Sequence, residues 1–312
     1  AARARDYGLS VLVVDEQPEP GGQIWREVER VGRTPLGDAL GASYTAGLET
    51  VARFRASGAD YSPETTLWHI ESGPIAFLKS HGVVRRIKPR AVILATGAQE
   101  RPTPFKGWTL PGVMTVGAGQ ILLKSAGQVP EGPVWIAGTG PLAYLYAVQL
   151  LSAGVDLTGF LDTQPRGRVV RNLRPALTAL LHRPSDIVKG LKWLARIRRA
   201  CRYVPDARHI VAEGDKRLER ITFVAGARPM ETATAQHLFV HEGVVPGIHP
   251  TMALDCDHRW SDLQASYAPA ADTWGESAEA FVFVAGDLAG IAGAEAACLR
   301  GEIAAIGVAR KL

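Results

Sequence analysis

The chain carries short apolar runs that stop abruptly at small or acidic residues. Val11 to Val14 runs into Asp15-Glu16, Ala91 to Leu94 into Ala95-Thr96-Gly97, Val134 to Ala137 into Gly138, and Phe281 to Ala285 into Gly286-Asp287. Runs of this length without polar alternation predict strands buried on both faces, as in parallel sheets covered by helices. Ala1 to Asp6 reads as the end of a helix closed by Gly8, and the apolar stretch after Pro141 reads as a helix leading to a further strand, Val155 to Leu161. Residues 166 to 202 are crowded with arginine, leucine and alanine at helical spacing and are broken at Pro184, which predicts a basic helical pair. Ile210 to Val224, with a charged turn at Glu213 to Arg217, predicts a hairpin, and Leu238 to Val240 one more strand.

The turn after Val134 to Ala137 has a specific physical reading. Gly138 permits a tight turn, Gly140 lets the backbone approach a phosphate with no side chain in the way, and Ala143 is small enough for a helix to pack on its strand. Pro141 suits a first helical position, and the helix start offers unpaired N–H groups and the positive end of its dipole to a pyrophosphate. Asp162, at the end of the next strand, stands where an acid accepts hydrogen bonds from an adenosine ribose. That acid favours NAD, while Arg166 and Arg168, which follow closely, leave NADP open as the alternative. The bland alternative is a tight turn without a ligand. Strand, turn, helix, strand and acid within about thirty residues favour the nucleotide.

The first run has the same ending without the same beginning. Val11 to Val14, Asp15-Glu16 and the turn Pro18-Glu19-Pro20-Gly21-Gly22-Gln23 read as the second strand of a dinucleotide-binding unit with its ribose acid. The first strand and glycine turn of that unit are missing ahead of it, so the chain is expected to start inside a domain. The architecture expected is α/β, with two doubly wound, Rossmann-like dinucleotide-binding domains, the second inserted into the first. Residues 1 to 125 and 245 to 312 form the incomplete outer domain. Residues 126 to 244 form the inserted one, with the basic helical insert at 166 to 202.

The strings VVDEQPEPGGQIWRE, AVILATGAQERPTPFKGWTLPGVMTVGAGQ, GPVWIAGTGPLAYLYAVQLLSAGV and FVFVAGDLAGIAGAEAA resemble the FAD-dependent pyridine nucleotide oxidoreductases. Within them the chain is most similar to the large-subunit group of opine oxidase, cyanide-forming glycine dehydrogenase, dye-linked proline dehydrogenase and heterotetrameric sarcosine oxidase. The resemblance runs from Ala1 to Leu312 and implies FAD in the outer domain and NAD or NADP in the inserted one. It implies that Asp15, with Glu16 as the neighbouring alternative, holds the FAD adenosine ribose. Gly21, Gly22 and Gln23 would pass the flavin side, and Thr96 and Gly97 would lie against the cofactor. Gly286 and Asp287 would serve the ribityl or pyrophosphate region, helped by the helix beginning near Ala294. Taken singly, Asp15 is equally read as an exposed acid, Gly21-Gly22 as an ordinary turn and Gly286-Asp287 as a helix cap.

Composition narrows the function classes. The 312 residues, 46% apolar with 33 glycines, are enough for two cored domains joined by tight turns. A net charge of +4, with no aromatic-interleaved basic strip, does not call for nucleic acid. No apolar run reaches the eighteen or so residues of a membrane span, and no signal-peptide pattern occurs, so a cytoplasmic protein is expected. Cys201, Cys256 and Cys298 are too far apart for a thiol relay; Cys256 with His258 is half a metal site at most, and Cys298 is expected in a helix core.

The function expected is an FAD-dependent, nicotinamide-linked oxidoreductase subunit that acts on, or relays electrons from, amine or amino-acid-derived substrates. The resemblance implies a smaller flavoprotein partner subunit, with the amine on the partner. The alternatives are a stand-alone NAD(P)H-dependent flavin reductase and a catalytically silent nucleotide-binding assembly subunit. No catalytic acid or base is assigned; His69, His81 and His241 are lone histidines of the kind that is usually structural. The basic helical insert is read as a solvated face, with a docking surface for another subunit or an anionic membrane as the sharper reading.

Overall fold

A computed structural model describes residues 1–165 and 184–312 of the chain. They divide into two units. The first comprises Ala1–Thr34, Ala42–Gln99 and Val244–Leu312, and the second Pro35–Gly41 and Glu100–Gly243. The first crossing therefore falls at Gln99 rather than near residue 125. The reason is strand pairing: the segment after Glu100 contributes an edge strand and a helix to the sheet of the second unit.

The first unit opens with α1 (Ala2–Asp6) and β1 (Leu12–Val14). β1 pairs in parallel with β2 (Asp60–Ser62), which follows α2 (Gly47–Ala56). β1 was expected to be buried, yet Leu12 is 48% exposed and Val13 and Val14 are half-buried, because β1 and β2 form a sheet of two strands only. An antiparallel meander follows, β3 (Thr65–Glu71), β4 (Ile75–Ser80) and β5 (Val83–Ile87). Then come β6 (Val92–Leu94) and β7 (Ala98–Glu100).

The second unit holds a five-stranded sheet. β8 (Val113–Thr115) leads into α3 (Val116–Ala126), β9 (Val134–Gly138) into α4 (Pro141–Ser152), and β10 (Leu157–Asp162) follows. α5 (Pro184–Ala200) precedes β11 (Arg202–Pro205), so Pro184 begins a helix, as suits a residue with no N–H to donate. The part of the basic insert at 166 to 183, with Arg166 and Arg168, lies outside the described residues. An antiparallel meander of β12 (Ala207–Glu213), β13 (Arg220–Ala225) and β14 (Met230–Thr234) intervenes before β15 (His237–His241). The hairpin was legible in the sequence; β14, with alternating polar residues, was not.

The sheet order is β11-β10-β9-β15-β8 and every neighbouring pair is parallel. Its centre is dry. All of β9 is buried, and Trp135, Leu161, Ile221, Phe223 and Leu238 share one core with the meander. From β9 the chain moves outward through β10 to β11 and then returns to β15 on the other side of β9, so the carboxyl ends of β9 and β15 form the point where the order reverses and doubly wound sheets bind ligands.

The chain returns to the first unit through β16 (Val244–Pro246) and the antiparallel pair β17 (His258–Ser261) and β18 (Ser266–Pro269). It ends with β19 (Val282–Val284), parallel to β6, and α6 (Ala294–Lys311). Val282 and Val284 face a core with Leu94, Ile70 and Leu288, while Phe283 and Ala285 face Ala304 and Val308 of α6. This two-sided burial explains the unbroken apolar run of β19. Among the described residues no helix is long and apolar enough to cross a membrane.

Candidate functional sites

The glycine turn of the second unit sits where β9 ends. Gly138 pairs with His241 across the ladder, and a Cβ on Gly138 would lie 2.0 Å from the His241 carbonyl oxygen. Only glycine permits that approach. Thr139 N–H donates to the same carbonyl at 3.1 Å, which fixes the turn on β15. Gly140 differs: its φ is 95°, and a Cβ built on it meets nothing within 4 Å. It precedes Pro141, the first residue of α4, and Ala143 is fully buried against the sheet. The first glycine is thus needed for strand packing. The second leaves an open cradle at a helix start, where exposed N–H groups suit a phosphate.

Asp162 is the last residue of β10 and only 6% exposed. Its Oδ1 accepts the Gln164 N–H at 2.9 Å. Its Oδ2 accepts two phenols, Tyr144 Oη at 3.0 Å and Tyr203 Oη in a still closer contact. Tyr144 lies in the first turns of α4, and Tyr203 lies on β11 directly beside Phe160. The three rings stack. Tyr144 and Phe160 are 5.3 Å apart and tilted by 17°, Phe160 and Tyr203 5.9 Å and 14°. The Arg198 guanidinium covers the far face of the stack, 4.7 Å from the Tyr203 centroid. Burial, and then the Asp162 charge, push the Tyr144 phenol far above its ordinary range. Burial, and then the hydrogen bond to Asp162, push Tyr203 up to about 12. Both phenols therefore remain donors at any physiological pH.

A second polar group closes the other side of the turn. His241, the last residue of β15, is buried and pairs through Nδ1 with Glu100 Oε1 at 2.6 Å. Glu100 Oε2 accepts the Gly117 N–H at 2.6 Å, so one carboxylate caps the first turn of α3 and orients the imidazole. His241 was read from sequence as a lone histidine; its partner, 141 positions earlier, could not be found by local pattern.

In the first unit, Asp15 follows β1 and is half-buried, with Oδ1 accepting the Gln17 N–H at 2.9 Å. Glu16 is exposed. Tyr61, on β2, donates to the Gln17 carbonyl at 3.3 Å, and burial followed by the Asp15 charge raises its phenol well above the ordinary range. Gly21, with φ 136°, turns the chain so tightly that a Cβ would meet the Trp25 carbonyl oxygen at 2.2 Å. Gly22 and Gln23 are exposed, and Gln23 Oε1 accepts from Arg26 at 3.0 Å. Thr96 Oγ1 donates to the Gly247 carbonyl at 2.7 Å and the Gly97 carbonyl accepts the Gly247 N–H at 2.9 Å. Gly286 lies after β19, and Asp287 Oδ1 accepts the N–H groups of Ala292 and Gly293 at 3.0 and 3.3 Å. Asp287 therefore shapes the loop that delivers Ala294, the first residue of α6.

The remaining chemistry-bearing residues lie elsewhere. Cys256 is buried near Ser277, and His258 Nε2 meets Thr251 Oγ1 at 2.9 Å. Cys298 is expected in a core but is exposed on α6, because it lies in the first half of that helix, where no residue is buried; the packed Ala304, Ala305 and Val308 all belong to its second half. The described residues contain no cluster of three potential metal ligands.

No family model matches the chain. It is 44% identical over 314 residues to an opine oxidase subunit of Rhizobium meliloti strain 1021, covering 98% of this chain and 67% of that protein. It is 32% identical over 318 residues to hydrogen cyanide synthase subunit HcnB of Pseudomonas aeruginosa PAO1, covering 96% and 66%. The opine oxidase subunits that it matches are longer, and the chain spans 59% to 67% of their length. Among solved structures, L-proline dehydrogenase from P. horikoshii superposes with a TM-score of 0.69 at 17% identity, over 100% of this chain and 52% of that one.

Proposed function

We infer the function from one premise: the chain belongs to the large-subunit group of FAD-dependent pyridine nucleotide oxidoreductases that includes the matched opine oxidase subunits and hydrogen cyanide synthase subunit HcnB. It is an oxidoreductase subunit of α/β fold. On that premise we propose that it relays electrons from an amine or amino-acid-derived substrate, with FAD held by the first unit and a nicotinamide dinucleotide by the second. We further propose that its partner is a smaller flavoprotein subunit, which carries the site where the amine is oxidised.

The observation that carries the reading is the open cradle at Gly140. It combines a glycine with φ 95°, empty space where a side chain would stand, a proline-led helix start and an acid at the next strand end. The donor chemistry of the first unit also fits a dinucleotide. Asp15 offers a half-buried carboxylate to a sugar hydroxyl, and the loop held by Asp287 brings the start of α6 and its N–H groups to bear on an anionic group. A bound flavin would supply the electron acceptor. The named residues would bind and orient the dinucleotides and set the local charge around them.

The test is a visible absorption spectrum of the purified chain after incubation with FAD and desalting. Retained flavin bands are expected, with further bleaching when an amine donor is added to the chain assembled with its smaller subunit. A protein that stays colourless at every FAD concentration would remove the first unit from flavin binding.

A further inference from the structure

The acid of the second unit is engaged before any nucleotide arrives. We propose that Tyr144 and Tyr203 determine specificity at this site by holding Asp162 in competition with the adenosine ribose of the nucleotide. The inference rests on the reading of the second unit as a dinucleotide site and names the residues that control entry to it.

The argument is one of hydrogen-bond counting. A carboxylate accepts through two oxygens, and here Oδ1 serves the Gln164 N–H while Oδ2 serves two phenols. A ribose offers two hydroxyl donors, the same number as the phenols supply. A carboxylate has about four acceptor sites, so both sites of Oδ2 are taken and one of Oδ1 remains; a ribose that engages Asp162 through both hydroxyls must therefore displace at least one phenol, which must find a new partner. Stacking on the fully buried Phe160, and on Arg198 beyond Tyr203, holds both rings in the competing position. The arrangement spans three elements, α4, β10 and β11, and is not the local pairing of an ordinary strand end. It also makes the acid a poor judge of NAD against NADP. A carboxylate with three of its four acceptor sites taken contributes less to recognising a free 2′-hydroxyl, so discrimination is weakened while both phenols remain.

The experiment titrates the native chain and its Tyr144→Phe/Tyr203→Phe variant with NADH and with NADPH, followed by nucleotide fluorescence. Phenylalanine keeps the stack and removes both donors. The expected result is NADH binding at least about tenfold tighter in the double variant, with a smaller gain for NADPH, because a sugar hydroxyl now satisfies an otherwise unpaired buried oxygen. Each single variant should give part of the gain, and these serve if the double variant loses its cooperative melting. Native and variant proteins that bind NADH equally well would overturn the proposal while leaving the nucleotide reading intact. Native protein and folded variants that bind neither nucleotide would overturn both.

Discussion

Asp15 and Asp162 each close a parallel strand, and each accepts through Oδ1 the N–H of the residue two positions on, at 2.9 Å in both cases. Around that shared turn the two regions diverge. Asp15 follows a strand whose first residue, Leu12, is 48% exposed, and it has one neighbouring phenol, Tyr61, which donates to the Gln17 carbonyl at 3.3 Å and also feels the Asp15 carboxylate. Asp162 ends a strand that lies between β11 and the central β9 of a five-stranded sheet and is buried at five of its six residues, with two stacked phenols on its second oxygen. A strand-end acid is a local pattern; its availability is decided by distant residues. Tyr144 stands 18 positions before Asp162 and Tyr203 stands 41 after it.

The sharpest way to break this comparison is at the glycine turn of the second unit. Gly138→Val places side-chain atoms into the His241 carbonyl, already 2.0 Å from a bare Cβ, and should cost about 3 kcal/mol or more in chemical denaturation. Gly140→Val puts its Cβ more than 4 Å from any other atom and carries chiefly the strain of a backbone that glycine alone adopts freely, about 1 to 3 kcal/mol. Its effect should fall on ligand binding instead, with loss of nucleotide affinity on the order of a hundredfold by direct titration, since backbone donors can no longer approach a phosphate. Equal loss of stability in both variants would mean that the Gly140 cradle is structural.

Smaller effects separate the phenols from the rest. Tyr203 holds its proton to about 12, against an ordinary value of 10. A group whose folded pKa is raised lends stability that is complete below its unfolded pKa and lost as pH rises toward the folded value. The second unit should therefore weaken between pH 10 and about 12, as followed by tyrosinate absorbance and melting together. Asp162→Asn should let both phenols ionise at lower pH. His237, at the opposite end of β15 from His241, gives the smallest effect. Burial, and then the Arg217 charge, depress its pKa, so its contribution is lost as pH falls through the ordinary 6.5. His237→Gln should flatten acid sensitivity slightly and leave nucleotide affinity unchanged.

What could be read from sequence was what is contiguous. β9, the two glycines, α4, β10 and Asp162 occupy one stretch, and the residue types there follow from strand burial and turn geometry. The boundary near residue 125 was misplaced because β8 joins its sheet through β15, more than a hundred positions later. The exposure of Leu12 and Cys298 depends on which part of an element other segments cover, which periodicity does not specify. The phenols on Asp162 and the Glu100 carboxylate on His241 were invisible for the same reason.

The most direct measurement compares Asp15→Asn with Asp162→Asn for flavin retention after desalting and for melting temperature. The account predicts a crossed result. Asp15→Asn should lose flavin and melt as the native protein does, whereas Asp162→Asn should keep its flavin and melt several degrees lower, as two buried phenols lose a charged acceptor worth about 1 to 3 kcal/mol. If Asp162→Asn instead melts unchanged, or Asp15→Asn melts lower and keeps its flavin, the division between an available acid and an engaged one is contradicted.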